Sequence, residues 1–323
     1  MNKITIIMYH YIRDLKNARF PEIKGLDVNL FVQQIEYLLK HYNVVSLDQL
    51  ISALDGVSKL PDHAALLTFD DGYSDHYNVV FPILDHYGLT GVFFPSVRAI
   101  VENKVLDVNK IHFVLASTKN NKELIDDVYK ELDVYRSEYG LFSNEAYFCK
   151  LAIANRFDSK EVVFIKRLLQ VELNKVVRAK ILDALFYKYV GVDEGVFSRE
   201  LYMNTDQLRT MKKHGMSIGS HGFNHYWLKS MSVKEQEQDI TKSLSFLKEL
   251  GVNLDNWSMC YPYGSYNDDT LALLAKYNCN VAFTTEVQVA DLNKSNRLLL
   301  PRLDTNDIPK DANLTPNRWY YYE

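Results

Sequence analysis

The stretch Leu66-Leu67-Thr68-Phe69-Asp70-Asp71-Gly72-Tyr73 decides the fold class of this 323-residue chain. An apolar run, typical of a buried strand, ends there in two adjacent carboxylates and a glycine. Parallel α/β enzymes keep their reactive groups at the C-terminal ends of their strands. A lone Asp-Asp-Gly is more often a simple turn, because aspartate and glycine tolerate turn dihedrals. A second motif is therefore needed before the first one indicates a site.

The second motif follows another apolar run, Met216-Ser217-Ile218-Gly219-Ser220, and reads His221-Gly222-Phe223-Asn224-His225. Two imidazoles and one of the aspartates make up the three-ligand set of an open catalytic metal site. Solvated or core-bonded histidines are commoner than ligands, but this chain has only nine histidines. The combination therefore favours a metal site. A third apolar segment, Met259-Cys260-Tyr261-Pro262-Tyr263-Gly264, ends in a rigid turn.

In this order the motifs resemble those of the NodB-type polysaccharide deacetylases, carbohydrate esterase family 4. The family carries T-F-D-D-G, H-[ST]-x-x-H and a P-Y turn, which correspond here to residues 68–72, 221–225 and 262–263. The resemblance covers roughly residues 1–102 and 200–310. It implies an α/β fold, a distorted (β/α) barrel of about seven strands. The implied activity is removal of an N-acetyl group from an amino sugar.

Carried over by position, the resemblance makes Asp71, His221 and His225 the ligands of one divalent metal ion, with zinc expected. Such an ion supplies a hydroxide-like nucleophile by lowering the pKa of its water. Asp70 becomes the general base, and the backbone N–H of Tyr263 faces the developing oxyanion. Aromatic and proline residues beside the motifs are the candidates for substrate binding: Tyr73, Tyr261, Pro262 and Tyr266.

Two departures from the family pattern concern residues that would support the site. Gly222 stands where the family has Ser or Thr, so the hydroxyl that braces this loop is missing, and Ser220 is a candidate substitute. The arginine that often precedes the P-Y turn is absent as well. Arg302 is the candidate partner for Asp70, although an ordinary surface or structural ion pair is equally open.

A third departure concerns the acid that protonates the leaving amine. Many family members use a C-terminal histidine in an L-x-H motif, but no histidine follows His225 here. His10 is the candidate replacement, because it ends the first strand-like run and would lie on the same barrel rim. The Tyr9-His10 pair resembles the subgroup that deacetylates poly-N-acetylglucosamine. The alternative is that His10 only packs or hydrogen-bonds at a strand end.

The resemblance implies one deacetylase-like barrel domain, residues 1–323, and periodicity predicts an α-helical insertion within it over residues 106–198. The predicted helices include 31–42 with Asn29 as cap and 46–54 with Ser46 as cap, and the last predicted strand is 298–300. The insertion contains no proline, and long amphipathic stretches such as 160–189 predict four or five helices. It could be a packed lid, a dimer surface or a substrate-recognition lid. The aromatic tail, 315–323, is expected to pack onto the body or a partner.

Composition and charge limit the classes of partner and compartment. The chain is 47% apolar and carries a net charge of −4 without a dense basic run, which argues against nucleic acid. No stretch is long enough to span a bilayer, and the first apolar run is too short for a signal peptide. Three scattered cysteines do not form a disulfide framework. We therefore expect a cytoplasmic enzyme acting on a nucleotide- or lipid-linked precursor of a surface glycan. The sequence leaves open whether the chain forms a homodimer.

Two rival functions remain open from the residues alone. One is a hydrolase for another C–N bond, a deformylase or a cyclic amidase, which would use the same metal chemistry. The other is a catalytically silent, glycan-binding homologue. Asp70 speaks against the silent homologue, because metal binding alone does not need a second carboxylate.

Overall fold

The computed structural model describes residues 2–154 and 158–322 and has the predicted α/β fold. Met1 and Glu323, the ends of the predicted domain, and residues 155–157 of the predicted insertion lie outside the described residues. The chain packs as two compact units. The barrel unit comprises Met1–Asp14, Gly25–Glu102 and Arg199–Glu323, and the helical unit comprises Leu15–Lys24 and Asn103–Ser198.

The strands lie in the barrel unit and are mostly short. In chain order they are β1 (Lys3–Tyr9), β2 (Ile12–Arg13), β3 (Leu26–Asp27), β4 (Asn43–Val44), β5 (Ala64–Asp71), β6 (Val92–Pro95), β7 (Ser217–Ile218), β8 (Trp257–Cys260), β9 (Cys279–Phe283), β10 (Ala290–Asp291) and β11 (Leu303–Asp304). Strand β5 pairs in parallel with β1, β4 and β6. All of its residues are buried, which is why it reads as a continuous apolar run.

Isolated bridges close the ring of strands beyond β7. Ser220 bridges Met259 of β8 in parallel, β8 pairs with β9, and Phe283 of β9 bridges Leu300. The chain then enters β11, which pairs in parallel with β1. The predicted strand 298–300 is wrong, because Leu300 makes only this bridge and the strand is Leu303–Asp304. Pro301 has no N–H to donate, so a ladder cannot continue through it.

The helices follow the strands in the expected alternation. They are α1 (Val28–His41), α2 (Leu47–Leu54), α3 (Phe81–His86), α4 (Val97–Val101), α5 (Asp107–Ser117), α6 (Asn121–Tyr139), α7 (Asn144–Leu151), α8 (Lys160–Arg167), α9 (Lys175–Val190), α10 (Glu194–Leu201), α11 (Thr205–Lys213), α12 (Val233–Glu249) and α13 (Asp268–Lys276). The predicted cap Ser46 is confirmed, in a capping box with Gln49. The predicted cap Asn29 is wrong, because the Asp27 carboxylate accepts the Asn29 N–H and α1 begins at Val28.

Two buried clusters flank the central strands of the barrel unit. Alternate residues of β1 and β5 belong to different clusters, as the two-residue period of a strand requires. The larger cluster includes residues of α1, α11, α12 and α13. Trp319, Tyr320 and Tyr322 pack against it, so the described part of the aromatic tail lies on the body as predicted.

The helical unit has its own core. Helix α9 packs against α5 and α6, and the stretch 160–189 is not one helix. A π-turn, Leu168–Glu172, ends α8, and the Asn174 side chain accepts the N–H groups of Val176 and Val177 to start α9. The described residues between 106 and 201 form six helices, α5 to α10, more than the predicted four or five. Phe20 of the segment 15–24 stacks edge-on against Phe113, a contact that the sequence did not predict.

Candidate active site

The ends of four parallel segments bring the three sequence motifs together at one edge of the barrel. Asp70 and Asp71 end β5, His221 and His225 follow β7, and Cys260 ends β8. Arg302 directly precedes β11. The aspartates, the histidines and Cys260 meet because the C-terminal ends of parallel strands share one edge, and Arg302 contacts Asp70 from the start of β11.

The predicted metal ligands face one another at close range. Asp71 Oδ1 lies 3.4 Å from His221 Nε2 and 3.2 Å from His225 Nε2. One ligand atom from each residue lies within 4.8 Å of the other two, and all three side chains are buried. Nitrogen and oxygen ligands about 2.0–2.2 Å from a tetrahedral zinc ion stand about 3.3 Å apart. The spacing is therefore that of a site for one divalent ion.

A buried atom without a partner supports the same assignment. Among the described residues, Asp71 Oδ1 has no hydrogen-bond partner, although it is shielded from water. A buried carboxylate oxygen left in this way is costly unless a cation or donor meets it. Burial would raise the pKa of Asp71, but the facing rings of His221 and His225 hold it well below the usual range. An anionic oxygen between two imidazoles fits a divalent cation.

Neighbouring groups orient two of the three ligands. His221 Nδ1 lies 2.8 Å from the Cys260 carbonyl oxygen, so Nδ1 carries an N–H and Nε2 is the ring nitrogen that faces Asp71. The Tyr73 hydroxyl donates to Asp71 Oδ2, which leaves Oδ1 for the ion. Tyr73 itself is held in a stack with Tyr11, with ring centroids 4.1 Å apart.

Asp70 is engaged by a different set of groups. Arg302 Nη1 and Nη2 donate to its two oxygens at 2.9 and 2.8 Å, and the Cys260 thiol lies 3.2 Å from Oδ2. Asp70 is 2% exposed and Arg302 0%. Burial would raise the pKa of Asp70, but the charge of the Arg302 guanidinium and, to a smaller extent, that of His221 lower this pKa below the usual range. Asp70 is therefore ionised at neutral pH.

His10 lies at the rim beside Asp70. Its Nε2 is 3.9 Å from Asp70 Oδ2, longer than a hydrogen bond, and its side chain is 41% exposed. The backbone of His10 is fixed from below, because His76 Nε2 lies 2.9 Å from the His10 carbonyl oxygen. Burial lowers the pKa of His76 to about 4, so this ring is neutral and donates its Nε2–H. The imidazole of His10 is thus placed close to Asp70 and open to solvent.

Three site residues have left-handed backbone angles that non-glycine residues seldom adopt. Asp71, His225 and Tyr263 have φ values of 70°, 59° and 57°. Such strained residues gather at functional sites, where the surrounding structure holds them. The Tyr263 ring lies parallel to Trp227 at 4.5 Å and meets the His225 ring edge-on at 4.7 Å. Trp227 is thus a neighbour of the site that no motif had indicated.

The four candidates for substrate binding divide by burial. Tyr73 and Tyr261 are fully buried, and Pro262 is buried as well. The Tyr73 hydroxyl is engaged by Asp71, and the Tyr261 hydroxyl donates to the Leu298 carbonyl oxygen at 2.7 Å. These contacts bury both rings against the site, and substrate binding by Tyr73 and Tyr261 stays a prediction. Tyr266 is half-buried and keeps an accessible surface.

Comparison with known proteins places the chain in a family. A sequence model of the polysaccharide deacetylases matches residues 58–131 and 179–282, more than half of the chain. The chain belongs to the polysaccharide deacetylase family. The matched segments contain Asp70, Asp71, both motif histidines and Tyr263, whereas His10 and Arg302 lie outside them. The predicted resemblance to the NodB-type enzymes of carbohydrate esterase family 4 is confirmed.

One curated relative of this polysaccharide deacetylase is the poly-β-1,6-N-acetyl-D-glucosamine N-deacetylase of Escherichia coli, 33% identical over 96 residues. The matched segment covers 29% of this chain and 14% of the E. coli protein.

Within the described residues, none of the helices has the length and apolar character needed to cross a membrane.

Solved structures confirm the fold. The deacetylase PplD of Streptococcus pyogenes, solved with acetate, superposes with a TM-score of 0.56 at 21% identity, covering 95% of this chain and 93% of that one. IcaB from Ammonifex degensii gives a TM-score of 0.55 at 17% identity, covering 99% and 94%. The distorted barrel of the NodB-like deacetylases is therefore the fold of this chain.

Proposed function

We propose that this polysaccharide deacetylase is metal-dependent and hydrolyses the N-acetyl group of an N-acetylated amino sugar. One observation carries the proposal: two adjacent buried carboxylates have different partners. Asp71 Oδ1 faces two imidazoles without a hydrogen-bond partner in the described residues, and Asp70 is paired with Arg302. A ligand and a proton acceptor are the two carboxylate functions that this hydrolysis needs.

The proposed reaction assigns each group one step. Asp71, His221 and His225 would hold a divalent cation, which would supply Lewis-acid activation of water and of the amide carbonyl. Asp70 takes the proton of the attacking water, and Arg302 fixes both carboxylate oxygens in direction. The Tyr263 backbone N–H donates to the carbonyl oxygen as that oxygen becomes negative.

His10 is proposed as the acid for the leaving nitrogen. An amine anion is a poor leaving group, so a proton must arrive as the C–N bond breaks. The His10 ring lies at the rim, near Asp70 and open to solvent, where it could be reprotonated after each turnover.

The substrate class rests on two different arguments. The name of the E. coli relative supports a polymer of N-acetylglucosamine. The sequence alone favoured a cytoplasmic nucleotide- or lipid-linked precursor. The cytoplasmic location, zinc as the particular ion and the homodimer all stay predictions, and the substrate screen below separates polymer from precursor.

The test is an acetate-release screen with purified protein. The substrates are nucleotide-linked, lipid-linked and polymeric N-acetylated amino sugars, with N-formyl and cyclic amides as the rival substrates, each offered with added Zn²⁺. We expect acetate from at least one class, abolished in the His221→Ala/His225→Ala double variant. Formate or ring-opened product from the rival amides, without acetate, would replace the proposal with another C–N hydrolase. Acetate release that survives in the double variant would show that the reaction does not need this metal site.

A further inference from the structure

One buried carboxylate outside the family motifs holds the loop that carries both metal histidines. Asp239 lies on helix α12 and is 2% exposed. Its Oδ2 accepts the backbone N–H of Phe223 at 2.7 Å. Its Oδ1 accepts the backbone N–H of Asn224 at 3.0 Å and the side-chain amide of Asn224 at 2.8 Å. Three donors from the residues between His221 and His225 therefore meet one anionic group, which makes strong hydrogen bonds.

The glycine at position 222 is matched to this carboxylate. Gly222 has a φ of +72°, and a Cβ added there would lie 2.7 Å from Asp239 Oδ2. Real Cβ contacts essentially never fall below 3.0 Å, so the carboxylate occupies the space that a side chain would need. The position of Asp239 therefore explains why residue 222 is a glycine. The Asp239 carboxylate stabilises the loop in place of the hydroxyl that the family has at this position.

A second pair of side chains braces the same loop from the same helix. Ser220 Oγ accepts the Gly222 N–H at 3.1 Å and lies 2.6 Å from Ser243 Oγ. Ser243 is one turn after Asp239 on α12, so both contacts come from one helix face. The proposed substitution of Ser220 for the missing hydroxyl thus has a structural basis, but Asp239 makes more of the contacts.

We propose that Asp239 is a positioning residue that sets the affinity of the His221–His225 loop for its divalent cation, with Gly222 as its required partner. The inference rests on the metal site of the proposed function. Asp239 acts through the loop backbone: it holds His225 in its left-handed conformation, with φ 59°, so that its Nε2 faces Asp71. Without the carboxylate the loop loses three hydrogen bonds, and both imidazoles lose their fixed spacing.

The experiment measures Zn²⁺ affinity by competition with a chromophoric chelator, on apoprotein reloaded with Zn²⁺ alone. Asp239→Asn keeps the side-chain shape but turns one acceptor into a donor that opposes a backbone N–H. We expect the dissociation constant to rise about 10–100-fold, as for other residues that orient metal ligands. Wild-type affinity in Asp239→Asn would overturn the inference. Failure of the wild type itself to bind Zn²⁺ would instead overturn the metal site of the proposed function.

A matched control separates positioning from loss of stability. Thr270 Oγ1 donates to the buried Gln236 Oε1, which also lies on α12, and Gln236 Nε2 donates to Met231 and Asn267, outside the histidine loop. Thr270→Val should lower the melting temperature of the apoprotein yet leave Zn²⁺ affinity unchanged. An equal loss of Zn²⁺ affinity in Thr270→Val would mean that the effect of Asp239→Asn is general destabilisation, and would overturn the inference.

Substitutions at Gly222 test whether Asp239 requires a glycine at this position. Gly222→Ser, which restores the family's residue, should weaken Zn²⁺ binding instead of improving it. In a double-mutant cycle, Gly222→Ala should cost less affinity in an Asp239→Ala background, because the oxygen that its Cβ meets is gone. If the two effects simply multiply, the residues act independently and the proposed match is wrong. This cycle also decides the question if Asp239→Asn does not fold.

Discussion

The neighbouring carboxylates Asp70 and Asp71 make hydrogen bonds to different partners. Both Asp70 oxygens are taken by Arg302, and a thiol lies beside them. Asp71 gives one oxygen to Tyr73 and turns the other toward two imidazoles, where, among the described residues, it has no hydrogen-bond partner. A carboxylate already shared by a guanidinium is poorly placed to bind a cation, because the cation would face a fixed positive charge. The difference therefore supports the proposed roles, ligation for Asp71 and proton transfer for Asp70.

The largest effect on the Asp70 side is expected from His10→Ala. If His10 protonates the leaving nitrogen, kcat on an N-acetyl amide should fall by about 10²–10³, within the usual range for one positioned acid. The alkaline limb of the pH profile should disappear, and bound metal should remain. The loss should shrink on an activated acetate ester, whose leaving group needs no proton. An equal loss on amide and ester would give His10 a structural or substrate-binding role.

Arg302→Met tests whether the pairing of Asp70 matters energetically. At neutral pH the variant leaves a buried carboxylate without its partner, which costs about 3–5 kcal/mol in other proteins. Arg297→Met is the control, because Arg297 and its partner Asp55 are 38% and 41% exposed and such pairs contribute little. Urea unfolding of the metal-free proteins measures both losses.

The pH dependence of the Arg302→Met effect follows from the direction of the Asp70 shift. In the wild type the pKa of Asp70 is lowered on folding, so its stabilising contribution is present above the unfolded pKa of about 3.9 and is lost only as pH falls below it. In the variant burial acts alone and raises that pKa, so the buried charge is neutralised as pH falls. The stability gap should therefore be larger at pH 7 than at pH 4. A gap that is the same at both pH values would mean that Asp70 is not the group affected.

A smaller effect is expected on the Asp71 side from Tyr73→Phe. This variant removes the hydroxyl that holds Asp71 Oδ2 but keeps the buried ring and its stacking on Tyr11. Zn²⁺ affinity should fall about tenfold, the lower end for a residue that orients a ligand. Tyr87→Phe is the control, since its hydroxyl meets Glu36 outside the site. Unchanged Zn²⁺ affinity in Tyr73→Phe would show that Asp71 needs no second anchor.

The sequence predicted the groups that carry chemistry better than the groups that hold them. Asp70, Asp71, His221 and His225 follow apolar strands, and the edge where parallel strands end brings such residues together whatever the details of packing. Arg302 could also be predicted as the partner of Asp70. It lies next to a predicted strand near the C-terminus, and the arginine that often precedes the P-Y turn is absent. Spacing and strand ends are local signals, and a single sequence displays them.

The supporting residues depend on distances between elements, which one sequence does not display. The sequence contains one signal for Asp239: with Gln236 and Ser243 it forms a polar stripe on the buried face of an amphipathic helix. Tyr73 is a predicted substrate contact because it follows the motif in sequence, and nothing local shows that its ring is buried and stacks on Tyr11. The last strand, β11, was misplaced for a similar reason: three leucines before Pro301 look like a strand, but the ladder forms beyond the proline.

The central claim, that Asp71 binds the ion and Asp70 does not, is tested most directly by one paired measurement. Asp70→Asn and Asp71→Asn are purified side by side, reloaded with Zn²⁺, dialysed and analysed for metal per chain and for acetate release. We expect Asp70→Asn to keep one ion per chain and lose turnover, and Asp71→Asn to lose both. Loss of the ion from Asp70→Asn, with the ion retained in Asp71→Asn, would contradict the account and exchange the roles of the two aspartates.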